Sequence, residues 1–106
     1  MNVYEINCFG DMFQIRFEAN TYANNKRLAV QTYTVPDGEP FARITVNIDC
    51  PISNDKAVTA FIDTNNLDYL KIEKFLQDNQ IAKPTGCYGR SGYCIYPEYI
   101  FDLTKF

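Results

Sequence analysis

Two stretches of strict two-residue alternation constrain this chain more than any other feature. In residues 12–19, Phe13, Ile15, Phe17 and Ala19 fall on one side and Gln14, Arg16 and Glu18 on the other; in residues 41–48, Ala42, Ile44, Val46 and Ile48 oppose Arg43, Thr45 and Asn47. A period of two is the signature of a strand with one apolar and one wet face. Val3, Tyr4, Ile6 and Phe9 precede the first stretch, with Gly10-Asp11 as the turn of a first hairpin. Residues 27–35 carry Leu28, Val30, Tyr33 and Val35, and Pro36-Asp37-Gly38 supplies a reversal into the second stretch, making a second hairpin.

Beyond the hairpins, residues 49–55 read as a polar loop and 57–62 as a short fifth strand. Asp63-Thr64-Asn65-Asn66 suits the capping of a helix. Tyr69, Ile72, Phe75 and Leu76 then share one arc at the helical angular step, which predicts a single amphipathic helix over about 67–78. Asn79 is placed to take the left-handed conformation at its end, with Ile81 packing back and Pro84 blocking resumption. Residues 81–97 hold Gly86, Gly89 and Gly92 with Lys83 and Arg90, and read as a flexible, turn-rich connection. A last strand over 93–103 contains Pro97, which places it at an edge, bends it or divides it there. The expected fold is α+β: one domain over 1–106, an antiparallel sheet of about five to six strands built from two N-terminal hairpins, with one amphipathic helix on one face.

Composition narrows the function. The 106 residues contain no histidine, which excludes a Ser-His-Asp triad, a Cys-His dyad and every His-containing zinc site within the chain. Four cysteines, Cys8, Cys50, Cys87 and Cys94, lack the short paired spacings of a zinc site and are expected to be thiols. Carboxylates such as Asp37 with Glu39 or Asp49 with Asp55 sit in turns, where solvation explains them. The glycine spacing differs from a phosphate-binding loop, which ends in Gly-Lys-Ser/Thr and opens a helix. No catalytic residue, metal or cofactor is therefore expected. A net charge of −3 disfavours nonspecific attraction to nucleic acid. No apolar run is long enough to span a bilayer, and the first residues lack the features of a secretory leader, so a cytoplasmic protein without membrane contact is expected.

The pattern of short motifs Tyr22-Ala23-Asn24-Asn25, Asp37-Gly38-Glu39-Pro40-Phe41-Ala42, Thr45-Val46-Asn47, Phe61-Ile62-Asp63-Thr64-Asn65-Asn66, Glu73-Lys74-Phe75-Leu76, Ile81-Ala82-Lys83-Pro84-Thr85-Gly86 and Gly89-Arg90-Ser91-Gly92-Tyr93-Cys94 resembles an uncharacterised family of small bacterial proteins, designated a domain of unknown function. The resemblance spans residues 22–103 and carries over no catalytic residue. It implies an association with gut bacteria, phages and conjugative elements, and through them a counter-defence role such as an anti-CRISPR inhibitor. With the missing catalytic set, it leads to the expectation of a non-enzymatic protein-binding module whose partner is a host or defence-system protein. Lys83, Tyr88, Arg90 and Tyr93 are its expected contact residues, since tyrosine and arginine are enriched in interface hot spots. The alternative is a single-stranded nucleic-acid binder, in which the tyrosines stack on bases while Lys83 and Arg90 hold phosphate.

Overall fold

The computed structural model describes residues 2–24, 26–48 and 58–106. In chain order these form β1 (Tyr4–Cys8), β2 (Asp11–Thr21), β3 (Leu28–Thr34), β4 (Pro40–Arg43), β5 (Thr45–Val46), β6 (Thr59–Ile62), α1 (Thr64–Leu67), a 3-10 turn (Asp68–Leu70), α2 (Ile72–Asp78), β7 (Ala82–Ser91), β8 (Cys94–Phe101) and a closing 3-10 turn (Leu103–Lys105). The chain is an α+β protein of antiparallel sheets. Cys50, the expected loop 49–55 and the start of the expected fifth strand lie outside the described residues.

The strands divide into two four-stranded sheets, ordered β1-β2-β3-β4 and β5-β6-β8-β7, rather than joining one. The division falls inside the second alternating stretch, at Ile44. Its N–H donates to Val30 O in the first sheet, while its C=O accepts from Asp63 N in the second. One buried residue thus closes one ladder and opens the next. Thr45 completes the corner, because its hydroxyl accepts the Val30 amide and pairs with the Tyr22 hydroxyl. Alternation alone cannot reveal this, since an apolar residue followed by threonine suits a continuous strand equally well.

Both predicted hairpins of the first sheet form. The first turn sits one residue earlier than expected: Phe9 and Gly10 both take positive φ, 52° and 86°, between the paired Cys8 and Asp11. That is the backbone pattern whose twist matches the flanking strands. The second turn falls on the expected residues but is wider than read, with a cis Val35–Pro36 peptide, Gly38 at φ 72° and the Gly38 N–H bonded to Thr34 O.

The expected single helix is broken at Lys71, which adopts φ 50°. The cause lies in the spacing of the apolar residues. On a continuous helix of about 100° per residue, Leu67 and Leu70 would point roughly opposite to Ile72 and Leu76. The left-handed residue resets the phase, and all four become buried in one core. Tyr69, assigned from the sequence to the buried arc, is half exposed and stacks on Phe9 with ring centroids 5.1 Å apart. At the end of α2, Gln80 rather than Asn79 takes the left-handed conformation. Ile81 N bonds Leu76 O and Gln80 N bonds Gln77 O, the paired bonds that satisfy terminal carbonyls, and Ile81 packs back fully buried as expected.

The main core gathers Ile6, Ile15, Phe17 and Val30 from the first sheet, Ile62, Tyr99 and Phe101 from the second, and Leu67, Ile72 and Leu76 from the helical segment. Each such side chain removed from water contributes about 1.5–3 kcal/mol. A second, smaller cluster of Ile48, Phe61 and Tyr96 sits on the other face of the second sheet.

Candidate functional site

The segment read as a flexible connection is a β-hairpin, and its three glycines serve three different ends. Gly86, at φ 91°, lies in a bulge between Pro84 and Tyr88, where β7 spends extra residues against β8. Gly92, at φ 61°, opens the two-residue turn Gly92–Tyr93 between the paired Ser91 and Cys94. Gly89 has no unusual backbone; a Cβ there would come within 2.6 Å of the Phe61 ring. The spacing that suggests a loop therefore encodes a bulge, a turn and a packing contact.

Pairing fixes which way each side chain faces. Ala82, Pro84, Tyr88 and Arg90 of β7 lie opposite Phe101, Tyr99, Pro97 and Ile95 of β8, all on the face that carries the main core further along the strands. Lys83, Gly89 and Ser91, opposite Ile100, Tyr96 and Cys94, lie on the other face. β6 pairs with β8 only as far as Phe61 and Glu98. Among the described residues the β7–β8 ladder continues alone past that point, and Pro97, having no N–H, marks the place where β6 stops pairing. The last strand is thus an interior strand over its C-terminal half and not an edge throughout.

On this extension the core face is uncovered. Tyr88 is 68% and Ile95 56% exposed, Arg90 stands between them, and Tyr93 is fully exposed at the tip. The opposite face is closed by Tyr96 and Cys94 against Phe61 and Ile48. Of the four residues expected from the sequence, Tyr88 and Arg90 share one surface, Tyr93 caps it, and Lys83 belongs to the reverse face. Ile95 joins them, missed because strand pairing and not sequence proximity puts it beside Arg90. The late tyrosines also separate, Tyr88 and Tyr93 outside, Tyr96 and Tyr99 inside.

What holds the extension in place is a buried polar group that sequence reading did not anticipate. Arg27 Nη2 lies 3.5 Å from Glu98 Oε2, both side chains almost wholly buried, and the guanidinium stands 4.8 Å from the centre of the Phe61 ring. Thr85 Oγ1 donates to Glu98 Oε1 at 2.9 Å and accepts from Cys87 N at 3.2 Å, which ties the bulge to the ion pair. Nothing in the surrounding residues marks Glu98 as interior, since it occupies an ordinary strand position. On the opposite face the Tyr99 hydroxyl donates to Glu73 Oε1 at 2.7 Å and accepts from Gln77 Nε2 at 3.1 Å. Burial first, and then the Glu73 carboxylate, push the Tyr99 phenol well above its usual range. The hydrogen bond with Cys94, together with burial, raises Tyr96 as well.

Cys8 and Cys94 are partly buried free thiols and Cys87 is an exposed one. Among the described residues no three cysteine or carboxylate side chains converge as a metal-binding group. An open cleft of about 570 Å³ runs between Gln77, Gln80, Lys83 and Asp102 and brings together no nucleophile with a base. Among the described residues no helix is long and apolar enough to cross a membrane.

Fold and site together define a small two-sheet α+β domain that presents an aromatic and cationic hairpin face on a braced support. A family model described as a domain of unknown function (DUF4313) matches residues 16–106, and the chain belongs to that family. No curated protein and no solved structure matches it.

Proposed function

We propose that the chain is a non-enzymatic protein-binding module whose contact surface is the uncovered face of the β7–β8 hairpin. The observation that carries this reading is the asymmetry of that hairpin: Tyr88, Arg90 and Ile95 stand in solvent on one face, while Gly89 and Tyr96 lock the other against Phe61. Tyrosine and arginine supply much of the binding energy of protein interfaces once desolvated, and a rigid backing lowers the cost of ordering them. In line with the resemblance to proteins of phages and conjugative elements, the proposed setting is the bacterial cytoplasm. The proposed partner there is a host protein, foremost a defence component such as a CRISPR nuclease, inhibited by occupation of its functional surface.

Binding of single-stranded nucleic acid ranks second. The exposed Tyr88 and Tyr93 rings suit stacking, but Lys83 faces away from them, so the two cations do not line one path for a phosphate backbone.

The test is retention of host proteins by the immobilised domain, compared with a Tyr88→Ala/Arg90→Ala double variant whose circular dichroism and melting match the parent. A protein kept by the parent and lost by the variant supports the reading. Equal retention by both moves the site elsewhere, and salt-sensitive binding of oligonucleotides by the parent favours the second reading.

A further inference from the structure

A strand at the end of a sheet carries a row of backbone N–H and C=O groups, which proteins blunt with proline, bulges or charge. β7 ends the second sheet, and among the described residues it pairs only with β8. The direction of its backbone groups follows from the bonds around it. Phe101 N donates to Val58 O, on the β6 side, and Asp102 N to Ile81 O, on the β7 side. Even-numbered residues of β8 therefore turn their backbone groups to β7, and odd-numbered ones to β6. Gly89 and Ser91, opposite Tyr96 and Cys94, exchange bonds with β8; Tyr88 and Arg90, opposite Pro97 and Ile95, direct their N–H and C=O outward. The two-residue turn demands the same phase, because the pair flanking such a turn is hydrogen-bonded.

Along the near half of β7 the outward positions are Ala82 and Pro84, and Pro84 has no N–H to offer. The bulge follows directly. The edge is thus blunted beside the body of the protein and left open at Tyr88–Arg90, the residues whose side chains form the uncovered face. From 82 to 97 the hairpin carries Lys83 and Arg90 and no carboxylate, on a chain of net charge −3. Lys83 lies in the blunted half and on the reverse face, so a second copy would bring its own Arg90 and no carboxylate to the open edge, whereas an acidic strand complements Arg90.

We propose that the open edge at Tyr88–Arg90 receives an extended, acidic segment of a partner protein as an added β-strand. Backbone bonds to Tyr88 and Arg90 hold it, with a carboxylate against Arg90 and an apolar side chain over Tyr88 and Ile95. The added strand contributes main-chain affinity, and its alternate side chains contribute selectivity. This inference rests on the protein-binding reading of the same hairpin and specifies its partner.

The experiment selects a phage-displayed library of random linear peptides on the immobilised full chain and measures synthetic versions of the enriched sequences. The expected result is enrichment of extended peptides with a carboxylate next to an apolar residue. N-methylation of two alternate peptide amides should cost about tenfold or more in affinity, and methylation of the intervening ones little. The Arg90→Glu variant, folded by circular dichroism, should reject the same peptides. No enrichment over an unrelated domain, or affinity indifferent to N-methylation at every position, overturns the proposal. So does a parent dimer in sedimentation that Arg90→Ala leaves intact and Arg90→Pro, which also removes the outward N–H, converts to monomer, because the edge would then belong to a second copy. Should the peptides fail while the Tyr88→Ala/Arg90→Ala variant still loses a host protein that the parent retains, strand addition falls and the protein-binding reading stands.

Discussion

Replacing Gly89 by alanine tests whether the hairpin is braced by the Phe61 ring. The new Cβ would lie 2.6, 2.9 and 3.0 Å from three atoms of that ring. Ordinary carbon contacts are about 3.5–4.0 Å, so the ring or the strand must retreat by about 1 Å. Phe61 has little room to do so, being buried in a cluster with Ile48 and Tyr96 and faced by the Arg27 guanidinium. Overpacking of this kind costs about 1–3 kcal/mol. Alanine recovers about 0.5–1 kcal/mol over glycine in a strand, which leaves a net loss centred on about 1 kcal/mol and reaching about 2.5 kcal/mol. For a domain of this size each kcal/mol lowers the melting temperature by roughly 4–8 °C. Urea unfolding of Gly89→Ala, Phe61→Leu and the double variant forms the assay. Leucine lacks the ring atoms nearest the new Cβ, so the double variant should be more stable than the sum of the singles by about 0.5–3 kcal/mol. Gly92→Ala serves as control: its site is open, the cost comes from φ 61° alone, and Phe61→Leu should not change it. A Gly89→Ala protein as stable as the parent, or strict additivity with Phe61→Leu, would refute the bracing argument.

Three further predictions concern the support of the site. Lys71→Gly should leave stability unchanged or raise it, because Lys71 already holds φ 50°, whereas glycine at Lys74 inside α2 should cost about 1 kcal/mol; chemical denaturation compares them. Removing one partner of the Arg27–Glu98 pair, as in Glu98→Leu, should cost about 3–5 kcal/mol, while Arg27→Met/Glu98→Leu together should recover much of that loss in the same assay. Tyr99 should ionise at higher pH than an ordinary tyrosine in an ultraviolet titration. Its folded form keeps the proton after the unfolded chain has released it, so its contribution is complete below the ordinary tyrosine value near pH 10, and stability falls as pH rises above that; Tyr99→Phe should remove this part of the slope.

What the sequence disclosed depended on whether the signal was local. Both N-terminal hairpins were legible because alternation and turn residues act within a few positions, and the return of Ile81 onto α2 was legible from the helix-end pattern. The change of sheet at Ile44 was not, since it rests on Val30 and Asp63, distant partners that leave no local mark. The helix break was latent in the spacing of Leu67, Leu70, Ile72 and Leu76, which one helical face cannot accommodate. Read by composition, the glycines from 86 to 92 suggested flexibility; pairing with β8 and the fit of Gly89 on Phe61 turn them into a braced strand. Tyr88, Arg90, Tyr93 and Lys83 stand out in the sequence by their chemistry alone; that Tyr88 and Arg90 share a face with Ile95 while Lys83 lies on the other follows from strand register, which is a property of two segments.

The central claim is that the face bearing Tyr88 and Arg90 is the surface through which this protein binds another. The most direct measurement compares host proteins retained by equal amounts of the parent domain and of the Tyr88→Ala/Arg90→Ala variant, both folded and melting alike. The account predicts a partner held by the parent and absent from the variant. The same partner held equally by both would contradict it.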